Sequence, residues 1–243
     1  MDQAYARRYR QLYERHWWWR AREKVILAAL RRRQPAGGWR TILDVGCGDG
    51  LFFERLSELG EVEGVEPEAA LVSASSRHRH RIHLCPFDDS FLPGKRYSLI
   101  LMLDVLEHLE DPAAALRHAQ ALLEPLGVLL ATVPAFNLLW TQHDELNRHH
   151  SRYTKGSFRQ LARAAGLRID RETYFFYWTC PVKLAARLVE RALGLRPRLP
   201  RVPPRWLNGS LYLLSRLEQR TLGSLPVPFG SSLLIVGGRE PTG

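Results

Sequence analysis

The chain has 243 residues, with 35 Lys and Arg against 25 Asp and Glu and a formal net charge of +10. That length can bury a substantial core and is expected to form one α/β domain with additions; with no apolar run of 18 or more and residues 1–20 too charged and aromatic for a signal peptide, membrane-spanning and secreted classes are excluded and a cytoplasmic protein is expected. Three scattered cysteines, Cys47, Cys85 and Cys180, form no C-x-x-C pair, so neither a disulfide framework nor a zinc knuckle is suggested.

Residues 1–33 read as helix. Tyr5, Tyr9, Tyr13 and Trp17 fall four apart on one stripe, and Arg31-Arg32-Arg33 ends the run before Pro35-Ala36-Gly37-Gly38 breaks it. An apolar strand at 41–45 then runs into Gly46, Gly48 and Gly50, and a helix is expected from Leu51. Glycine accepts positive φ and has no side chain, so this turn can press its backbone against a nucleotide. A dinucleotide fingerprint starting at Gly46 would need glycine where Leu51 stands. A second strand, 61–65, leads into Glu66 and Pro67, and a carboxylate at this distance from the turn is expected to hold ribose hydroxyls.

Further strands are expected at 81–85, 97–103, 127–133, 167–176 and 231–237, with helices in most intervals. Asp111-Pro112 opens one helix as N-cap and first-turn proline, and Gly127 follows its end. The alternation implies a parallel sheet whose ligands sit at the carboxyl ends of the strands. After the fourth strand, Asp104, Glu107 and His108 lie at that edge, where His108 has the right ordinary pKa for a general base. His149-His150-Ser151-Arg152 returns to the same edge after the fifth strand.

The run Asp44-Val45-Gly46-Cys47-Gly48-Asp49-Gly50, followed by Glu66, by Leu99 to His108 and by Gly127 to Pro134, resembles the class I S-adenosylmethionine (SAM) methyltransferases over roughly residues 40 to 176. The resemblance implies an α/β fold with a Rossmann-like seven-stranded sheet, helices on both faces and an antiparallel last strand. On this reading residues 1–38 form a helical lid, 39–176 the SAM-binding core and 231–243 the last strand and tail, while 177–230, a departure from the family, form a helical insertion on the substrate side. The resemblance places SAM on Asp44, Gly46, Cys47, Gly48, Gly50, Glu66, Pro67, Leu103 and Asp104, and assigns chemistry to His108, Glu107 and Asp104. Phe87 and Asp88 stand where the family contacts adenine; alternatively Phe87 is core and Asp88 a turn former. His16-Trp17-Trp18-Trp19-Arg20-Ala21-Arg22 resembles the lid segment of one bacterial branch, in which Arg22 would reach the cofactor carboxylate.

D-x-x-E-H with a later histidine also resembles two metal-using branches, the quinone-biosynthesis O-methyltransferases and the small-RNA 2′-O-methyltransferases. By position the ligands would be Asp104, Glu107, His108 and His150, holding Mg²⁺ or Mn²⁺. Asp104 is one methylene shorter than the glutamate of those branches, and a metal-free site is the favoured expectation.

Some 54 residues separate the last two strands where the family has a near hairpin. The sixth strand is expected to run parallel to its neighbours, so the insertion would emerge on the substrate side. It reads as two amphipathic helices joined by a proline-rich linker, packed on the domain for most of its surface, with a basic, aromatic-bearing tip that touches a membrane surface or an amphipathic substrate. Charge is +7 in residues 1–33, −8 in 41–136 and +7 in 168–243. Arginine and tryptophan occur together in 15–22 and 201–206, a pairing suited to a lipid headgroup layer.

The expected function is SAM-dependent O-methylation of a small or lipid-linked acceptor, with weak peripheral contact with the inner face of the membrane. Two alternatives compete: nucleic-acid (RNA) methylation, suggested by the net charge but lacking a separate binding motif, and a non-catalytic SAM-binding partner subunit, against which the intact glycines and Glu66 argue.

Overall fold

The computed structural model describes residues 3–194, 200–223 and 225–239. A seven-stranded sheet has the order β3-β2-β1-β4-β5-β7-β6, from β1 (Thr41–Val45), β2 (Glu61–Val65), β3 (Ile82–His83), β4 (Tyr97–Leu103), β5 (Leu123–Pro134), β6 (Leu167–Phe175) and β7 (Ser232–Arg239). The first five strands are parallel, and β7 runs antiparallel between β5 and β6. This is the Rossmann-like arrangement that the resemblance implies.

The sheet separates two apolar layers because successive strand residues face opposite ways. On β4, Ile100 and Met102 join Leu116 and Phe158 in one layer, while Leu99 and Leu101 join Ile26, Leu30 and Phe53 in the other. The first layer is closed by α4 (Pro112–Leu122) and α6 (Lys155–Ala165), the second by α2 (Trp17–Arg33) and α3 (Phe53–Ser57). The Asp111 carboxylate caps α4 by accepting from the Ala114 N–H at 2.9 Å, as expected of the Asp-Pro start.

Five local expectations are corrected. The N-terminal helix is two helices, α1 (Gln3–Arg15) and α2, broken at His16, whose Nδ1 accepts from the Trp18 N–H. The third strand shrinks to two residues, and α3 starts only at Phe53 because the glycine turn continues through Phe52. Gly127 is not a helix terminator: it lies inside β5, where a Cβ would come within 2.9 Å of the Tyr97 carbonyl. The sixth strand is not parallel to its neighbour, since β6 pairs only with antiparallel β7. Two antiparallel pairings still leave β6 running the same way as β5, so the insertion does leave from the carboxyl edge.

The segment after β6 forms α7 (Thr179–Leu193) and α8 (Arg205–Thr221). The first packs over the turn at Asn137–Leu139, and the second lies along α2. Part of the linker, 195–199, falls outside the described residues. A short helix, α5 (Gln142–Leu146), precedes the loop that carries His149.

Candidate active site

The glycine turn is shaped by three left-handed residues, with φ of 69° at Gly46, 54° at Gly48 and 69° at Gly50. At Gly46 a Cβ would strike the Val105 side chain at 2.8 Å, so only glycine brings this backbone beneath the loop after β4. Glu66 is buried at the end of β2, where its two carboxylate oxygens accept from the N–H groups of Gly48 and Glu68, each at 2.9 Å. The carboxylate that sequence assigns to the ribose thus also braces the turn. Burial raises its pKa, against the opposing hydrogen bonds.

Over the turn lies a cavity of about 50 Å³ whose walls include Asp44, Gly46, Cys47, Leu103, Arg22 and Tyr13. It adjoins a cleft of about 560 Å³ that shares Tyr13, Glu23 and Leu51 and includes Gly50 and Asp49. The N-terminal helices roof both. Arg22, buried on α2, sends Nη2 to Asp104 Oδ2 at 2.8 Å and to Thr132 Oγ1 at 2.9 Å, and its guanidinium lies over the Trp18 ring. Its Nε is buried without a hydrogen-bond partner. Asp44 is buried, and desolvation, reinforced by Glu66 and opposed by Arg22, lifts its pKa to about 7. Neither Phe87 nor Asp88 lines these cavities: Phe87 packs edge-on to His118 with centroids 4.9 Å apart, and Asp88 accepts from the N–H and hydroxyl of Ser90. Pro67 is exposed and lines neither.

Asp104 takes a positive φ of 58°, which turns the chain sharply at the end of β4, and Thr132 Oγ1 donates to its Oδ1 at 2.9 Å. With Arg22 on the other oxygen, both carboxylate oxygens are engaged. Asp104 is not among the side chains whose ligating atoms converge. The residues that come together are Glu107, His108 and His149, each presenting a ligating atom within 4.8 Å of the others. His149 rather than His150 joins this group: the His150 side chain is exposed, and its backbone N–H docks on the Glu107 carbonyl at 2.7 Å.

Glu107 is buried with both carboxylate oxygens lacking any hydrogen-bond partner, and burial beside Asp104 raises its pKa well above the ordinary value. Desolvation of the His108 ring, aided by His149 at a centroid distance of 4.7 Å, lowers its pKa to about 4. His108 is neutral at pH 7 and a weaker base than its ordinary pKa suggests. His149 Nδ1 pairs with Asp144 Oδ1 at 2.9 Å, which leaves Nε2 as its second ring nitrogen.

Sequence reasoning missed Asp144 and Lys183 and gave Arg152 no role. Asp144 is fully buried and bound at 2.8 and 2.9 Å by the Arg152 fork. Burial alone would raise its pKa, but hydrogen bonds from His149 and Arg152 hold it far below the carboxylate range. Its one sequence signal is the Thr141-x-x-Asp144 capping box that starts α5. Half-buried Lys183 on α7 is pushed down to about 8 by desolvation and by Arg152. Lys183 thus brings a charge of the insertion within electrostatic range of Asp144 and Asp104.

A family model described as a methyltransferase domain matches residues 5–172. The chain is 36% identical over 117 residues to a ubiquinone biosynthesis O-methyltransferase of Bradyrhizobium diazoefficiens, covering 46% of this chain and 45% of the relative. It thus spans less than half the length of that curated relative. A TehB-like SAM-dependent methyltransferase from Corynebacterium glutamicum superposes with a TM-score of 0.55 at 17% identity, covering 98% of this chain and 97% of the other. A SAM-dependent methyltransferase from Archaeoglobus fulgidus gives a TM-score of 0.54 at 17% identity, with 88% and 93% covered. At such identities the structural likeness speaks to the fold.

Proposed function

The chain belongs to the methyltransferase-domain family, and we propose that it is an enzyme that moves the methyl group of SAM to an oxygen of a small or lipid-linked acceptor. The observation that carries this reading is the adjacency of two half-sites. Arg22, paired with Asp104, acts electrostatically both on Asp44 beside the braced glycine turn and on Glu107 of the Glu107–His108–His149 cluster, which begins on the same loop as Asp104.

Methyl transfer from a sulfonium is an in-line displacement: the S–CH₃ bond breaks as the C–O bond forms, and the sulfur leaves as a neutral thioether. Most of the barrier is met by positioning. Arg22 and Thr132 hold Asp104, and residues of the N-terminal helices, Tyr9, Tyr13, Trp19 and Arg22 among them, line the cavity. The acceptor hydroxyl must lose its proton, and the exposed, neutral His108 imidazole is the base offered at the edge, with Glu107 buried beside it.

The unpartnered Glu107 oxygens fit a cation beside them, and Glu107, His108 and His149 would hold a divalent ion through one carboxylate and two imidazoles. When bound, such an ion lowers the pKa of a coordinated hydroxyl. That donor set suits Mn²⁺, Fe²⁺ or Zn²⁺ better than Mg²⁺.

The test is transfer of a radiolabelled methyl group from SAM to hydroxylated acceptors, phenolic and saccharide, offered free and on lipid anchors. Label on oxygen supports the reading. SAM binding without transfer to any hydroxyl, or label on nitrogen or carbon alone, would overturn the assignment to oxygen.

A further inference from the structure

Both helices of the insertion carry an apolar stripe on their outward face; on α8 this is in addition to Leu207, Leu211 and Tyr212, which are half-buried on the inward side. A helix on a soluble domain buries its apolar stripe and shows its polar face to water. On α8 the buried residues are Asn208, Ser215 and Glu218, all polar, whereas Trp206, Leu213 and Leu217 face outward on one stripe. Trp206 is 73% exposed and Leu213 67%. At 100° per residue these three side chains fall within about 40° of arc.

The inward face of α8 is fixed by polar bonds. Glu218 accepts from the Trp178 N–H at 2.8 Å, Ser215 Oγ accepts from the Trp178 indole, and Asn208 bonds the break between α1 and α2. The helix cannot roll to bury its leucines without losing all of these.

On α7 the pattern repeats. Lys183, Arg187 and Glu190 turn inward, with Arg187 donating to the Asn137 carbonyl and Glu190 accepting from the Gln142 N–H. Val182, Val189 and Leu193 face outward on one stripe, with Leu193 66% exposed. Each exposed apolar stripe, one on α7 and one on α8, is of the kind that marks a binding surface.

Charge selects the occupant. Residues 179–222 hold nine Lys and Arg but only two acids, Glu190 and Glu218, and both acids are spent on inward bonds. The outward surface thus combines apolar stripes with Arg205 and Arg220 and no carboxylate. A two-fold contact with a second copy would set these like-charged rims against each other. An anionic lipid surface complements both elements, with side chains at the acyl boundary and guanidinium groups among phosphates. Among the described residues no helix is long and apolar enough to cross a membrane, so the binding is interfacial. The tryptophans of 17–19 do not share in it: they are half-buried, and Trp17 and Trp18 pack on Phe176.

We infer that α7 and α8 dock this protein on anionic bilayer surfaces through Trp206, Leu213 and Leu217 on one helix and Val182, Val189 and Leu193 on the other. Because the insertion leaves from the carboxyl edge of the sheet, docking carries the acceptor side of the domain to the bilayer. Only this last step rests on the methyl-transfer reading; the docking itself does not.

The experiment is co-sedimentation of the full chain with vesicles of phosphatidylcholine alone and of phosphatidylcholine with phosphatidylglycerol, without SAM or acceptor. Binding is expected to the anionic vesicles and to weaken with salt. The variant Trp206→Ser with Leu213→Gln and Leu217→Gln is expected to lose at least tenfold in partitioning while its melting temperature and SAM affinity hold. Arg205→Gln and Arg220→Gln should each weaken anionic binding about fivefold, the effect of one basic residue at such a surface. No partitioning of the folded wild type at low salt overturns the proposal. So does reversible dimerisation that the triple variant abolishes in a protein that ignores vesicles, which would assign the stripes to a second copy. Because SAM binding is read separately, either failure leaves the enzymatic reading intact.

Discussion

The side-chain amide of Asn208 clasps the backbone on both sides of His16: its Oδ1 accepts from the Trp17 N–H at 2.8 Å, and its Nδ2 donates to the Arg15 carbonyl at 2.8 Å. Gln219 adds a bond to the Ala21 carbonyl at 3.1 Å. The insertion therefore holds the roof of the cavity, and through α2 it sets the position of Arg22. Sequence placed the insertion on the acceptor side alone; these bonds tie it to the N-terminal helices as well.

Asn208→Ala removes two hydrogen bonds and strands two backbone groups, a loss of about 1–3 kcal/mol from the closed roof. The expected outcome is weaker SAM binding by calorimetry together with faster amide exchange around residues 15–20. Unchanged affinity and unchanged exchange would detach the insertion from the roof.

The pKa of Asp44 near 7 gives the site a pH dependence of definite sign. The ionised form favours a sulfonium nearby, so SAM affinity should rise between about pH 6 and pH 8 as Asp44 loses its proton, while neutral-sulfur S-adenosylhomocysteine shows a shallower rise. Stability runs the other way. The folded pKa lies above the unfolded value of 3.8, so ionised Asp44 costs stability, fully above about pH 7 and not at all below about pH 4. Asp44→Asn should flatten both profiles and raise Tm at pH 8 but not at pH 4. A flat wild-type affinity profile would remove Asp44 from the cofactor site.

Glu107 is expected to trade stability for activity. Its raised pKa and unpartnered oxygens mean that the folded state resists ionisation, so stability falls as pH rises through the folded pKa. Glu107→Gln should raise Tm at neutral pH while cutting methyl transfer by about 10²–10⁴-fold, the range for loss of a general base. A variant that loses both stability and activity would make Glu107 a structural brace.

Much of this was legible in the residues. The glycines at 46, 48 and 50 permit a left-handed turn at no steric cost, and the apolar runs at 41–45 and 97–103 fit strands of a sheet interior. What escaped depends on tertiary contact. Helical periodicity runs through His16 without a flaw, and the break there is held by Asn208, 192 positions away in sequence. His149 and His150 are equivalent as text; only the docking of the His150 N–H on Glu107 decides which ring turns inward. The insertion is visibly amphipathic, but periodicity cannot say which face looks out, and the polar bonds to Trp178 and Gln142 decide against the usual answer.

The central claim is that the braced glycine turn is a SAM site, and calorimetric titration of SAM into wild type and Glu66→Ala tests it most directly. One molecule of SAM should bind per chain, and the variant should lose on the order of 1.5–3 kcal/mol, the worth of hydrogen bonds that involve a charge. Titration with no heat in a folded wild type, or equal affinity in the two proteins, would contradict the account.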